Sequence, residues 1–184
     1  MCIKFPIIQK QKNDIIWNGY NILHHAASRV GALDLNFISS KPDFNLDKIY
    51  SLSKKKELDL VYLLGADEID TKKLENSFVI YQGHHGGYGS KNADIILPGS
   101  AFTEKNATFI NLEGRLQQTF KSCNPPGEAK EDWKIIVALG KRFNTKFNYF
   151  SVEDVKNRLR KVNPIVFSSV NTIIKNKFLK FGKK

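Results

Sequence analysis

The sequence predicts an α/β fold built on a parallel sheet in three layers. Three short apolar runs, each closed by Gly or Pro, support this prediction: Leu58–Gly65, Ser77–Gly83 and Ala93–Gly99. Continuous apolar runs of this length are typical of strands that are buried on both faces, as strands of parallel sheets are. Helical spacing before and after the runs indicates the covering layers. We therefore expect a buried sheet with helices packed against it.

Three segments have the spacing of amphipathic helices. The first, Asn18–Leu33, repeats apolar residues at positions i, i+3, i+4 and i+7. The second, residues 125–143, opens with two prolines and has acidic residues near its first turn and basic residues near its last, as the helix dipole favours. The third, Ser151–Pro164, begins at a good N-cap residue and ends at a proline. We expect the chain beyond it to be extended or weakly ordered.

A dense group of polar residues of both signs lies between two strand-like runs, in Ala93–Gln117. Such a group is typical of the lining of a site. Within it, Thr108–Gln117 alternates apolar and polar residues, which predicts a strand buried on one face only. The candidate site residues are the polar members of this stretch: Asp94, Glu104, Asn111, Glu113 and Arg115.

Acid or base catalysis is one use for Asp94, Glu104 and Glu113, if a pocket raised the pKa of one of them. No nucleophile with a placed base accompanies them in the sequence, and Cys123 has no local activator. Pairing of Glu113 or Arg115 with opposite charges across a strand pair explains the same residues without chemistry. The polar stretch is therefore either a site or the remains of one.

The loop Gly83–Gly89, "GHHGGYG", follows a predicted strand, where a glycine-rich turn can cradle phosphate with backbone amides. Its spacing fits neither of the two common phosphate-binding motifs. A structural tight turn is the competing interpretation and the one we favour.

Metal chemistry receives little support from the cysteines and histidines. Cys2 and Cys123 are far apart, and a metal cluster normally takes four ligands. Neighbouring histidines, as in His24–His25 and His84–His85, point in different directions on a helix or strand and do not readily chelate one ion. We predict that this chain holds no metal and that its thiols are free.

The chain is basic, with a formal net charge of +11 and a pI near 9.6. Such a charge is common in nucleic-acid-binding proteins. Here the lysines are scattered or crowded at the end of the chain, without a basic helix carrying interleaved aromatics. We expect no nucleic-acid partner. No apolar run approaches the roughly 20 residues that cross a bilayer, so we expect no membrane insertion. The first residues do not have the pattern of an import signal, so we expect either that the protein is made where it works or that a presequence lies outside this sequence.

A family resemblance adds to these observations. "FVIYQGHHGGYGSKNADIILPGSAFTEKNATFINLEGRLQQT", followed by "NPPGEAKEDWKIIVALG", resembles the C-terminal part of the large iron–sulfur (75 kDa) subunit of respiratory complex I. "NILHHAASRVGALDL" and "VYLLGAD" match the same family in the same order, so the resemblance covers Trp17–Pro164. One departure is Gly87, where the family is expected to have an aspartate, which predicts the loss of a polar contact.

Asp94–Gln117 is similar, more distantly, to molybdopterin oxidoreductases, in which this region helps to build the pterin site. The resemblance implies a molybdopterin oxidoreductase-like domain in residues 1–164, with a basic tail in 165–184. It also implies that the five candidate residues form the wall of a vestigial pterin site, without cofactor binding. Iron–sulfur clusters and FMN are then expected in partner subunits.

The resemblance further implies a structural, non-catalytic subunit of the peripheral arm of NADH:ubiquinone oxidoreductase. The chain matches only the last quarter or so of the family, so either the gene is split or the chain is a fragment of a longer protein. We expect a split gene, with a separate polypeptide that carries the iron–sulfur part. Together with AT-rich coding, this predicts an organelle-encoded protein on the matrix side of the mitochondrial inner membrane. The alternative is a pterin-binding module of a molybdenum-dependent oxidoreductase.

Overall fold

The computed structural model describes residues 2–4, 20–112 and 114–164. Residue contacts divide the chain into two compact units. Unit 1 comprises Met1–Phe37, Thr108–Gln117 and Leu159–Lys184, and unit 2 comprises Ile38–Ala107 and Gln118–Arg158. The predictions for Glu113 and for the basic tail fall outside the described residues. The division into residues 1–164 and 165–184 remains a prediction.

The described residues form seven strands, five α-helices and two 3₁₀ turns. The strands are β1 Cys2–Lys4, β2 Tyr20–Ile22, β3 Leu60–Leu64, β4 Phe78–Gly83, β5 Ile95–Pro98, β6 Ala107–Ile110 and β7 Leu116–Thr119. The α-helices are α1 Arg29–Asp34, α2 Leu46–Lys54, α3 Tyr88–Lys91, α4 Asp132–Arg142 and α5 Val152–Val162, with 3₁₀ turns at Thr71–Leu74 and Phe102–Glu104.

Unit 2 is built on a parallel sheet with the strand order β3-β4-β5, as the apolar runs predict. Leu63 pairs with Tyr81, and Tyr81 with Ile96, so their side chains share one face of the sheet. On this face Leu63, Leu74, Val79 and Tyr81 form the buried core, against which Ile49 and Tyr50 of α2 pack. The α/β prediction with a parallel sheet is therefore confirmed.

The opposite face of the sheet carries Ile80 and Gln82, since side chains alternate along a strand. Gln82 donates a hydrogen bond to Asp132, the first residue of α4, so a helix begins on this face too. Only β4, the central strand, is buried along most of its length. The expectation that all three strands are covered on both faces is wrong for the two outer strands in the described structure, since Leu60 and Leu64 of β3 and Ile95 and Ile96 of β5 are exposed.

The predicted helix Asn18–Leu33 is wrong over most of its length. Tyr20–Ile22 forms β2, which pairs antiparallel with β1, and the helix begins only at Arg29. The apolar spacing of the segment is compatible with a helix, but pairing with a distant strand overrides this local preference. His24 and His25 consequently lie before α1, not on a helix.

The predicted strand Thr108–Gln117 is two strands joined by a turn. Gly114 has a φ of 74° and its amide donates to the Asn111 carbonyl at 3.0 Å. The alternation of apolar and polar residues continues through this turn, which is why the pattern alone conceals it. Glycine tolerates the left-handed backbone conformation that the turn requires.

The C-terminal helices differ in how well the sequence places them. Residues 125–131 precede α4, because Pro126 and Ala129 close a turn in which Gly127 has a φ of 51°. The helix therefore begins at Asp132, later than predicted.

For α5 the prediction is confirmed: the Ser151 hydroxyl accepts from the Asp154 amide at 3.2 Å, and the Asp154 carboxylate accepts from the Ser151 amide at 2.8 Å. The helix α2, capped by Asn45, was not predicted.

Candidate functional site

The carboxyl edge of the parallel sheet in unit 2 collects the polar side chains that come closest to a site. Three loops leave the strands here, after Leu64, Gly83 and Pro98. In open α/β sheets, ligands bind outside the carboxyl ends of the strands, at the point where the strand order reverses. The order β3-β4-β5 contains no reversal among the described strands. The described strands therefore provide at most one of the two sides that such a ligand-binding crevice needs.

A partly buried chain of polar side chains connects the sheet to α4 at this edge. The Gln82 side chain is fully buried; its Oε1 accepts from the Tyr62 hydroxyl, and its Nε2 donates to Asp132 Oδ1 at 2.8 Å. The other Asp132 oxygen forms an ion pair with Lys105. Burial raises the pKa of the Tyr62 hydroxyl, and the Asp132 charge raises it further, so the phenol stays protonated and donates. Asp132 also lies at the positive end of the helix dipole.

The glycine-rich loop after β4 wraps around a tyrosine ring. Tyr81 is buried and its hydroxyl donates to the His85 carbonyl at 3.2 Å. A Cβ atom at Gly83 or Gly89 would overlap the Tyr81 side chain, and one at Gly89 would also lie 3.2 Å from the Ala66 carbonyl oxygen. The glycines therefore make room for Tyr81, which supports the structural interpretation of this loop over a phosphate cradle.

The same loop holds the position that departs from the family pattern. A Cβ atom at Gly87 would lie 3.2 Å from Asp67 Oδ2. An aspartate at this position would bring a second carboxylate close to Asp67.

The rings of His84 and His85 lie 4.5 Å apart at their centroids in a T-shaped pair, and both residues are exposed. No three His, Cys, Asp or Glu side chains in the described part of the chain form a group that could hold a metal ion.

Asp94 lies at the amino edge of the sheet, at the start of β5. Its amide donates to the Val79 carbonyl at 2.8 Å, and its carboxylate accepts from the Val79 amide at 2.7 Å. These two bonds extend the pairing of β4 and β5 by one residue. Strand β5 therefore separates Asp94 from Glu104, which follows its carboxyl end.

Glu104 closes the 3₁₀ turn after β5, where its carboxylate accepts from the Ala101 amide at 2.9 Å. The neighbouring Thr103 carbonyl accepts from the Ser122 amide at 2.8 Å, and the exposed Cys123 lies beside the same carbonyl. Glu104 is thus part of a local loop structure.

Asn111 and Arg115 are the two predicted site residues that the structure brings together. Arg115 donates its amide to Asn111 Oδ1 at 2.9 Å, and Asn111 donates its amide to the Arg115 carbonyl at 3.1 Å. These bonds close the turn between β6 and β7 in unit 1, and Arg115 is exposed. Sequence reasoning missed Tyr62, Gln82, Lys105 and Asp132. One signal could have found the group, because Gln82 is a polar residue inside an otherwise apolar run.

An open parallel sheet with helices beside it defines this chain as a parallel-sheet α/β domain. Within that class, the chain belongs to the molybdopterin oxidoreductase family, whose model matches residues 3–142. This membership confirms the resemblance drawn from the sequence motifs. No helix of the described residues is long and apolar enough to cross a membrane.

The chain is similar to a series of respiratory enzyme subunits. It is 50% identical over 163 residues to the NADH-ubiquinone oxidoreductase 75 kDa subunit of Reclinomonas americana, covering 89% of this chain and 23% of that protein. It is 49% identical over 149 residues to the mitochondrial 78 kDa subunit of the same enzyme from Candida albicans, covering 80% and 19%. It is 42% identical over 168 residues to an NADH-quinone oxidoreductase subunit from Rickettsia bellii, covering 91% and 23%. The chain thus spans a quarter or less of these relatives' length.

The family name implies a molybdenum–pterin cofactor, and the described residues do not fit one. Tyr81 fills the space beside the glycines of the loop after β4. Gln82, Asp132 and Lys105 satisfy one another, and Asp94 lies at the opposite end of β5 from Glu104. The Ser100 hydroxyl is buried at this edge without a hydrogen-bond partner in the described structure, but one hydroxyl does not make a cradle.

Proposed function

We propose that this chain is a structural, non-catalytic piece of the peripheral arm of proton-pumping NADH:ubiquinone oxidoreductase, where it supports electron transfer from NADH to quinone. The observation that carries the proposal is the similarity to the 75 kDa subunit, which extends over 89% of this chain. The pattern of contacts agrees with a structural role, because the polar side chains at the carboxyl edge bond to one another.

The proposal assigns no catalytic residue, metal or cofactor to this chain. Asp94 aligns β5 with β4, Glu104 closes a turn, and the Asn111–Arg115 pair closes a hairpin. These roles suit a domain that keeps the molybdopterin oxidoreductase fold without its cofactor. Iron–sulfur clusters and FMN then belong to partner subunits.

The partners and the location are part of the same proposal. The matched relatives are about four to five times longer than the part that this chain matches. We infer that a separate polypeptide resembling the N-terminal, iron–sulfur-bearing part of the 75 kDa subunit supplies the remainder. The assembly lies on the matrix side of the mitochondrial inner membrane, with this chain encoded in the organelle, among other peripheral-arm subunits and without nucleic acid.

A tag on this chain in its native membranes tests the proposal. Affinity purification is expected to recover the NADH:ubiquinone oxidoreductase subunits in stoichiometric amounts, and depletion of the chain is expected to abolish NADH:quinone reductase activity. Recovery of the chain without any subunit of that enzyme would contradict the proposal. Other oxidoreductase complexes of similar abundance provide the comparison for nonspecific recovery.

The alternative is a pterin-binding module of a molybdenum-dependent oxidoreductase, and the family match to residues 3–142 favours keeping it. Metal and pterin analysis of the purified assembly separates the two. Molybdenum and pterin in equimolar amount with this chain would support the alternative, while iron and FMN without molybdenum would support the main proposal.

A further inference from the structure

The two outer edges of the parallel sheet in unit 2 differ in whether other backbone groups bond to them. On the β5 edge, the Lys130 amide donates to the Pro98 carbonyl at 3.0 Å, and the Ser100 amide donates to the Lys130 carbonyl at 2.9 Å. Pro98 itself has no amide hydrogen to offer a further strand. Proline is confined to edge strands for this reason, and short coverings of this kind protect an edge. The β5 edge is therefore closed at its carboxyl end.

Among the described residues, none covers the β3 edge in this way. The Gly65 amide donates to Gln82, and the Phe78 amide donates to Asp59, so odd-numbered residues of β3 face β4. The backbone groups of Leu60, Tyr62 and Leu64 consequently face outward, and no described strand pairs with them. The strand is apolar throughout, without proline or charge. A long apolar open edge is a template for pairing with another strand.

An exposed apolar surface adjoins the open edge. Leu60 is 46% exposed, Leu64 45% and Phe78 45%. Leu60 pairs with Phe78 in register, and Leu64 is four residues from Leu60, so the three side chains lie on the same face. This is the face over which α4 begins, where Asp132 contacts Gln82. A strand added beside β3, with its connecting helix, would bury these side chains and complete the layer that a parallel sheet needs.

We propose that the outer edge of β3 binds a β-strand of the polypeptide that supplies the rest of the relatives' length; this inference rests on the proposed function. The length argues for this occupant, because the chain covers only 23% of the 75 kDa relative. The net charge argues against a second copy, because two chains of +11 repel each other. Main-chain pairing at the edge provides affinity, and the three exposed side chains provide the apolar contact.

Photo-crosslinking in the full chain, co-expressed with that polypeptide, tests the proposal. p-Benzoylphenylalanine replaces Leu60 at the open edge or, as the matched control, Ile96 in β5, which is 53% exposed. We expect cross-links from position 60 to the larger polypeptide and none from position 96. Cross-links from position 60 to a second copy or to this chain's own residues would overturn the proposed occupant. Co-purification without a cross-link from position 60 would overturn the proposal while leaving the proposed function in place.

A pair of proline variants gives a second readout. Leu64→Pro removes an outward amide from the β3 edge, and Ile96→Pro removes one from the β5 edge, while both leave the pairs with β4 in place. We expect Leu64→Pro to weaken co-purification about tenfold or more and Ile96→Pro to change it less than about twofold. Equal effects of the two variants would overturn the proposal. Failure of the unmodified chain to bind the polypeptide at all would instead overturn the proposed function on which the proposal rests.

Discussion

Gln82 in β4 and Asp132 at the start of α4 are joined by a hydrogen bond of 2.8 Å between Nε2 and Oδ1, across fifty positions of sequence. The bond fixes the start of the helix over the second face of the sheet. Gln82 is fully buried and also accepts from Tyr62, while Asp132 pairs with Lys105. Gln82 thus connects two strands to a helix, and Asp132 extends the chain of contacts to the segment after β5.

We expect Gln82→Leu to destabilise the assembled protein by about 1 to 3 kcal/mol, because it leaves the half-buried Tyr62 hydroxyl and one oxygen of the half-buried Asp132 carboxylate without their partner. A thermal-shift comparison with Gln118→Leu, the same change at an exposed position of β7, measures the difference. Equal melting temperatures for the two variants would show that the partly buried chain of polar side chains contributes nothing.

Gly89→Ala tests whether the loop after β4 is shaped by Tyr81. The added methyl group would overlap the Tyr81 ring, and overpacking of this kind costs about 1 to 3 kcal/mol. Gly86→Ala is the control, since the nearest atom to its Cβ is Ser90 Oγ at 3.9 Å. If both variants are equally stable in chemical denaturation, the packing explanation of the glycine-rich loop is wrong.

Variants in the turn between β6 and β7 test whether its polar residues only close the turn or belong to a buried charge network. Arg115 is exposed, so Arg115→Leu should change the unfolding free energy by less than about 1 kcal/mol. Asn111→Ala should cost more, about 0.5 to 2 kcal/mol, because it removes the side-chain acceptor of the Arg115 amide. A loss of several kcal/mol for Arg115→Leu would restore the idea that a buried charge network remains here.

The start of α5 should be sensitive to acid. The Phe150 amide, followed by the Ser151 side chain and amide, lowers the pKa of the Asp154 carboxyl below its usual value. A depressed native pKa contributes stability above the unfolded value of about 3.9 that is lost as the pH falls through the native value. Amide-exchange protection of α5 should therefore fall on acidification in the parent and less so in Asp154→Asn. The exposed Asp43→Asn should behave as the parent does; identical profiles for parent and Asp154→Asn would contradict the assignment.

The sequence predicts the sheet of unit 2 well, because buried parallel strands are written as continuous apolar runs closed by Gly or Pro. It also predicts α5, since Ser151 and Asp154 form a local capping pattern. It fails at Tyr20–Ile22, where pairing with β1 outweighs helical spacing, and at Gly114, where alternation conceals a turn. The first failure arises because a strand needs a partner that is distant in sequence, and the second because a single φ angle decides the turn.

The candidate site divides in the same way. The polar residues of Ala93–Gln117 are visible as a group, but their grouping in sequence does not make them neighbours, because β5 lies between Asp94 and Glu104. The contact of Gln82 with Asp132 is invisible to spacing, since it arises only when α4 is placed over the sheet. Gln82 within an apolar run is the one local signal of it.

We propose that this chain is one structural part of a larger domain, completed by a second polypeptide. Size-exclusion chromatography with light scattering, on the chain alone and on the chain co-expressed with the iron–sulfur-bearing polypeptide, tests it most directly. Alone, the chain should aggregate through its open sheet edge and exposed apolar side chains. Co-expressed, it should elute as a soluble complex with an interface well above roughly 1,600 Å². A monodisperse monomer that unfolds cooperatively without any partner would contradict the claim.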